Sequence, residues 1–219
     1  MQGWPHIRNG EHTLICAPTG SGKTLTSFLS SIDSLTTNSR PEERSHRTRV
    51  LYISPLRALA FDIEKNLRAP LKGIEFAAER LGEPFVVPEV GMRTGDTPAN
   101  DRQKLIRRPP DLLITTPESL YLMCTSAARE TLVGVETVII DEIHAMAATK
   151  RGAHLMLTLE RLEEITEKPP QRIGLSATQR PLEEVAEFLG GFSEPGVKRP
   201  VQIVDAGIRK TLEVEVVIP

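Results

Sequence analysis

The run Ala17-Pro18-Thr19-Gly20-Ser21-Gly22-Lys23-Thr24 sets two glycines, a lysine and a threonine at the spacing that grips a polyphosphate. Dense negative charge calls for inward-facing backbone N–H groups, and Gly20 and Gly22 allow an approach that a Cβ would block. Lys23 can then reach the terminal phosphates, Thr24 can ligate magnesium, and the following helix adds the positive end of its dipole. Thr19, Gly20, Ser21, Gly22, Lys23 and Thr24 are therefore the expected nucleotide-contacting set, with ATP and magnesium as the expected ligands. Ala17 stands where the general pattern has its first glycine. The plainer alternative is a Gly-Ser turn capping an ordinary helix, against which the order strand, loop, lysine, threonine, helix weighs.

Magnesium beside a triphosphate needs a carboxylate opposite the threonine, and hydrolysis needs a group to orient the attacking water. Val138-Ile139-Ile140-Asp141-Glu142-Ile143-His144 supplies both at the end of an apolar run. Asp141 is expected on the magnesium side and Glu142 as base or water positioner, with Lys23 completing the catalytic set. The adjacent glutamate favours hydrolysis over transfer, because a metabolic kinase takes its nucleophile from the substrate. A solvated acidic pair at a strand end is the alternative. His144 either links the nucleotide site to the rest of the chain or is a satisfied polar residue near the sheet edge. His6, His12, His46 and His154 have no ligand-like spacing.

These residues must be held by regular elements. Apolar runs at 12–16, 50–54, 86–92, 111–115, 135–140, 171–175 and 201–204 predict strands. Segments at 23–35, 56–68, 71–81, 98–107, 117–125, 152–166 and 181–189 predict helices. Short buried strands alternating with helices, joined by right-handed crossovers, predict a doubly wound, mostly parallel α/β sheet with helices on both faces. Residues 38–49 read as a surface loop. Leu155, Leu159 and Leu162, with Met156, form a core stripe. The basic run Arg102, Lys104, Arg107 and Arg108 either belongs to a polyanion-binding track or is a solvated helix face ending in a turn at Pro109-Pro110, the second reading being favoured, while Lys65 and Arg68 read as ordinary surface.

The chain has 219 residues, 39% of them hydrophobic, and its 27 Lys and Arg nearly balance its 29 Asp and Glu. That composition excludes a disordered chain, and charges interrupt every apolar stretch, so a cytoplasmic protein without a membrane span is expected. A formal charge of -2 means that any hold on nucleic acid must come from local geometry rather than a strong global field. Cys16 and Cys124 stand far apart in apolar segments and read as reduced core residues, not a zinc pair.

In order along the chain, these motifs resemble the first RecA-like motor domain of a superfamily 2 helicase. The phosphate loop is similar to that superfamily's motif I, Asp141-Glu142-Ile143-His144 to its DExH box, and Ser176-Ala177-Thr178 to motif III. Ser54-Pro55-Leu56-Arg57-Ala58-Leu59-Ala60 resembles motif Ia and Thr116-Pro117-Glu118-Ser119-Leu120 motif Ib. Arg93-Thr94-Gly95-Asp96-Thr97-Pro98 and Thr149-Lys150-Arg151-Gly152-Ala153-His154-Leu155 look most like the Lhr (large helicase-related) group.

The resemblance implies a RecA-like P-loop NTPase fold over residues 1–208, clipped at its N-terminus, and a linker strand over 209–219 toward a second RecA-like domain. That second domain would supply the arginine that completes the ATP site. The chain is thus expected to be a fragment that binds ATP yet barely hydrolyses it. Single-stranded DNA or RNA is the implied partner, contacted by Pro55, Arg57, Thr94, Gly95, Thr116 and Glu118, with His144, Ser176 and Thr178 coupling the two sites. Movement from 3′ to 5′ is a further implication of the Lhr likeness. In an open α/β sheet, ligands gather outside the carboxyl ends of the strands, so one edge should collect every one of these loops. Two other classes stay open: a non-catalytic nucleotide-gated scaffold, and a metabolic kinase, which the Thr-Pro-Glu and Ser-Ala-Thr loops disfavour.

Overall fold

The computed structural model describes residues 3–18, 20–177 and 180–206, with residue 59 described by its backbone alone. Thr19, Thr178 and the expected linker at 209–219 lie outside the described residues. In chain order the elements are α1 (Trp4–Arg8), β1 (His12–Cys16), α2 (Lys23–Thr37), β2 (Val50–Ile53), α3 (Arg57–Leu81), β3 (Val90–Arg93), α4 (Ala99–Arg107) and β4 (Leu112–Thr115). There follow α5 (Pro117–Cys124), β5 (Thr137–Ile140), α6 (His144–Ala147), α7 (Lys150–Glu163), β6 (Gln171–Ser176), α8 (Leu182–Gly190), β7 (Phe192–Glu194), β8 (Val197–Lys198) and β9 (Val201–Asp205).

Among the described residues, seven strands form one sheet in the order β3-β4-β2-β5-β6-β1-β9, and every pairing in it is parallel. The central strands β2 and β5 are almost wholly apolar because both faces are covered. Successive side chains alternate between two cores. Leu14, Leu51, Ile53, Leu113, Val138 and Ile140 pack with α5, α7 and α8. Ile15, Val50, Tyr52, Leu112, Ile114 and Ile139 pack with α1, α2 and α3. The expected leucine stripe on α7 lies in the first core, with Leu155, Leu159 and Leu162 buried. Both cysteines are buried and free, and burial pushes each thiol up to about 11, which keeps it protonated. Among the described residues, no helix is long and apolar enough to cross a membrane.

Four expectations need correction. The helices at 56–68 and 71–81 are one 25-residue helix running through Pro70. An interior proline costs about 3 kcal/mol, but Ala60, Ile63, Leu67 and Leu71 keep helical phase across it and are all buried in one core, which offsets that loss. The strand at 86–92 begins only at Val90, because Pro88 carries no N–H for the ladder and the ladder's first contact is the Glu89 carbonyl, which accepts from Asp111 and Leu112. The loop at 38–49 is not wholly superficial. Thr48 and Arg49 are buried, with the Thr48 hydroxyl donating to the Pro110 carbonyl at 2.8 Å and Arg49 to the Leu35 carbonyl at 2.9 Å. The basic run is not simply solvated, because Arg102 donates to the Gly95 and Thr97 carbonyls, both at 2.8 Å.

The short α6 and the start of α7 fix the geometry after β5. The Thr149 side chain caps α7 by accepting from the Gly152 N–H at 3.0 Å, while its hydroxyl donates to the Met146 carbonyl at 2.9 Å. Gly152 lies so close to α6 that a Cβ there would sit 2.0 Å from the Met146 oxygen. Gly152→Ala should therefore lose about 3 kcal/mol or more in urea unfolding, as an overpacked junction against rigid backbone does. A loss below about 0.5 kcal/mol, the range of a neutral surface change, would mean that this contact does not exist in solution.

Candidate functional site

The phosphate loop leaves the C-terminal end of β1 and turns into α2. Gly20 and Gly22 have φ of +80° and +84°, values that L side chains rarely adopt, and Gly22 is the N-cap of α2. The space beside each is open: a Cβ at either position would meet nothing within 4 Å. Lys23 is buried, and its Nζ lies 3.2 Å from Glu142 Oε1 but off the line of a proper hydrogen bond, which leaves the ammonium without a hydrogen-bond acceptor. A buried, underserved ammonium facing an open loop of glycine amides fits a triphosphate.

Asp141 continues the β5 ladder, its N–H donating to the Ile53 carbonyl at 2.9 Å. Its carboxylate is buried and accepts from the Glu142 N–H at 2.9 Å. Burial pushes this carboxyl above the usual carboxylate range, and neighbouring Glu142 adds to the effect, while Tyr52, the Glu142 N–H and Lys23 oppose it. Glu142 has φ +45°, the one non-glycine residue in the left-handed region among the described residues. Holding it there costs about 1–3 kcal/mol. The Lys23 pair and the Ala145 N–H donating to the Glu142 carbonyl at 2.9 Å hold it in place.

His144 stands between the acidic loop and the end of β6. Its Nδ1 accepts from the Ala177 N–H at 3.2 Å, so a neutral ring carries its proton on Nε2, which stands 3.4 Å from Glu142 Oε2. Ser176 is buried at the end of β6. Its carbonyl accepts from the Ala17 N–H at 3.1 Å and its hydroxyl donates to the Ala177 carbonyl at 2.8 Å. The β6 end thus touches the phosphate loop on one side and the acidic loop on the other.

The remaining candidates meet on the same sheet edge. Arg57, in the first turn of α3, donates to Asp96 at 2.6 Å and lies over Gly95, where a Cβ would be 2.9 Å from its Nη2. The Thr94 N–H donates to the Thr97 hydroxyl at 2.8 Å, which closes that loop. Thr116 is the N-cap residue of α5 and, like Pro55 and Thr94, is buried. Glu118 is gripped by Arg151, which also donates to the Pro55 carbonyl. That guanidinium holds the Glu118 carboxyl below the usual carboxylate range. The Arg57 and Glu118 side chains are thus engaged with other loops of the edge.

Four contributing residues were given no role from the sequence. Arg151 ties two loops together. Tyr52, whose phenol burial and the Asp141 carboxylate push up, stacks on Phe28 at 4.8 Å and lies close to Asp141 and Thr24. It was visible only as the one polar atom in the run Val50-Leu51-Tyr52-Ile53. Asp62 and Asn66 of α3 line a cavity of about 580 Å³ that also reaches Lys23, Thr24 and Glu142.

Comparison with known proteins gives the family and the fold. A family model described as DEAD/DEAH box helicase matches residues 1–187. The chain is 57% identical over 216 residues to the Lhr helicase/probable uracil glycosylase of Mycolicibacterium smegmatis, covering 99% of this chain and 14% of that protein. It is 53% identical over 222 residues to the Lhr helicase/uracil glycosylase of Escherichia coli, again 14% of the relative's length. Among solved structures it is similar to that of Mycobacterium smegmatis helicase Lhr bound to ssDNA and AMP-PNP. That match has a TM-score of 0.86 and 56% identity, and covers 94% of this chain and 25% of the other. The chain therefore spans about one seventh of the two curated relatives.

The buried Asp141 carboxylate generates a stability prediction. A folded-state pKa raised above the unfolded value means that ionised Asp141 weakens folding at neutral pH, a penalty that disappears as acid protonates it. Nucleotide-free Asp141→Asn should melt above the parent protein at pH 7, with the gap closing as pH falls through the raised pKa. A variant melting below the parent at pH 7 would show that the carboxylate is stabilised rather than strained.

Proposed function

The chain belongs to the DEAD/DEAH box helicase family, and from that footing we propose that it is the first RecA-like motor domain of an Lhr-type enzyme. In this reading ATP hydrolysis drives movement along single-stranded DNA or RNA. Residues 1–208 form the motor domain, and 209–219 lead to a second RecA-like domain. The observation that carries the proposal is the convergence of Lys23, Asp141 and Glu142 on one sheet edge with the Pro55, Thr94 and Thr116 loops. The relative solved with ssDNA and AMP-PNP lends the same support.

Thr19 to Lys23 would cradle the triphosphate. Thr24 and Asp141 would hold magnesium, which neutralises charge on the β and γ phosphates. Glu142 would take the proton of the water attacking the γ-phosphorus, and Lys23 would stabilise the charge that develops on the phosphoryl oxygens. Lys23 and Glu142 face each other at 3.2 Å. Triphosphate binding would draw Lys23 away and leave Glu142 free for water. His144, Ser176 and Thr178 would relay this change across the edge. There Pro55, Arg57, Thr94, Gly95, Thr116 and Glu118 would form the strand track, through backbone and helix N-termini more than base edges.

Lys23→Ala should weaken ATP binding about 10- to 100-fold, the worth of one charge-assisted bond to phosphate. Glu142→Gln should keep or tighten ATP binding, because it removes a competitor for Lys23, while lowering the turnover of the full-length protein by about 10² or more. Titration calorimetry and phosphate release test both, and equal loss of ATP binding in the two variants would overturn the role assignment. The 219-residue chain alone should hydrolyse ATP about 10³- to 10⁵-fold more slowly than the full-length protein, since the second domain's arginine would be missing. Comparable rates would contradict the two-domain site.

A further inference from the structure

Resting on the helicase reading, we propose that Arg151 is a positioning residue that clamps the Pro55 and Glu118 loops into one single-strand track. Its guanidinium reaches both loops at once. Nε and Nη2 donate to the two Glu118 oxygens at 2.5 and 3.0 Å, and Nη1 donates to the Pro55 carbonyl at 2.5 Å. The first two bonds tie α7 to the first turn of α5. The third ties α7 to the loop between β2 and α3. These loops leave neighbouring strands, with β2 pairing β4 along its length.

The anchor of this clamp is rigid. Arg151 lies between the N-cap Thr149, whose hydroxyl donates to the Met146 carbonyl of α6, and Gly152, whose N–H donates to that Thr149 hydroxyl and whose backbone packs against the same carbonyl. The α6 turn itself begins at His144, beside Glu142. The guanidinium therefore projects from a fixed point between the acidic loop and the track.

Magnitudes argue against a purely structural purpose. The Arg151 and Glu118 side chains are 37% and 56% exposed, and an ion pair that open to water contributes about 0–1 kcal/mol to folding. What the planar fork supplies is direction: three donors fix two loops relative to each other, a geometry that lysine's point charge does not reproduce. A track that binds phosphates through backbone amides depends on such fixing, because a displaced amide loses its bond altogether.

The test measures binding of a fluorescein-labelled dT12 strand to the full-length protein by anisotropy across a salt series, with ATP affinity in parallel. Arg151→Ala should weaken strand binding about 5- to 10-fold while ATP affinity and the slope of log affinity against log salt hold. Glu118→Gln should show the same kind of loss, the double variant should be no worse than Arg151→Ala, and Arg151→Lys should recover only part of the affinity. A salt slope shallower by about one in Arg151→Ala, with Glu118→Gln neutral, would overturn the proposal by making Arg151 a direct phosphate contact. Parent-like binding in both single variants would also overturn it. Failure of the parent protein to bind dT12 would instead remove the helicase reading, and the inference with it.

Discussion

Parallel pairing is the constraint on which everything else rests. Because each strand of the sheet runs the same way, all seven carboxyl ends open on one edge, and loops far apart in sequence become neighbours there. Ser176 touches Ala17, Ala177 touches His144, and Arg57 touches Asp96 only because β6, β1, β5, β2 and β3 end at one level. The opposite edge holds a cavity of about 650 Å³ lined in part by His46, Gly134 and Lys168, with none of the motif residues in it. One antiparallel strand in the middle of the sheet would have sent its loop there.

The edge is held in a state that its own chemistry disfavours. Asp141 is a carboxylate deprived of water, Glu142 sits in a backbone conformation unusual for its type, and Lys23 has an ion-pair partner without a good hydrogen bond. Each is tolerable because the two cores beneath are closely packed and over-determine the backbone. The deficits at Asp141 and Lys23 are ones that a triphosphate with a divalent cation would relieve, through charge for Asp141 and phosphate oxygens for Lys23. Misplaced polarity of this sort separates a functional edge from a merely stable one.

What could be read in advance was whatever depends on local pattern. The strand at 12–16, the helix starting at Lys23 and the acidic pair after Ile140 all follow from short apolar runs and from residue types with a single good use. What escaped depends on distance. Pro70 breaks a helix by local rule, yet the stripe Ala60, Ile63, Leu67 and Leu71 belongs to a core assembled with α1, α2 and the strands β1, β2, β4, β5 and β6. Thr48 and Arg49 look like loop polarity until Pro110 and Leu35 are found beside them. Arg151 was visible only as part of the Lhr-like run Thr149 to Leu155, because nothing along the chain signals that Pro55 and Glu118 flank it. The short α1 and the β7-β8 hairpin are too brief to give a period at all.

Photo-crosslinking tests most directly that the carboxyl edge is the working face. Single-stranded DNA carrying 4-thiothymidine, crosslinked to the full-length protein and mapped by mass spectrometry, should mark peptides holding residues 54–57, 93–97 and 116–119. Adducts concentrated instead on peptides with His46, Gly134 or Lys168, at the other end of the strands, would contradict the account.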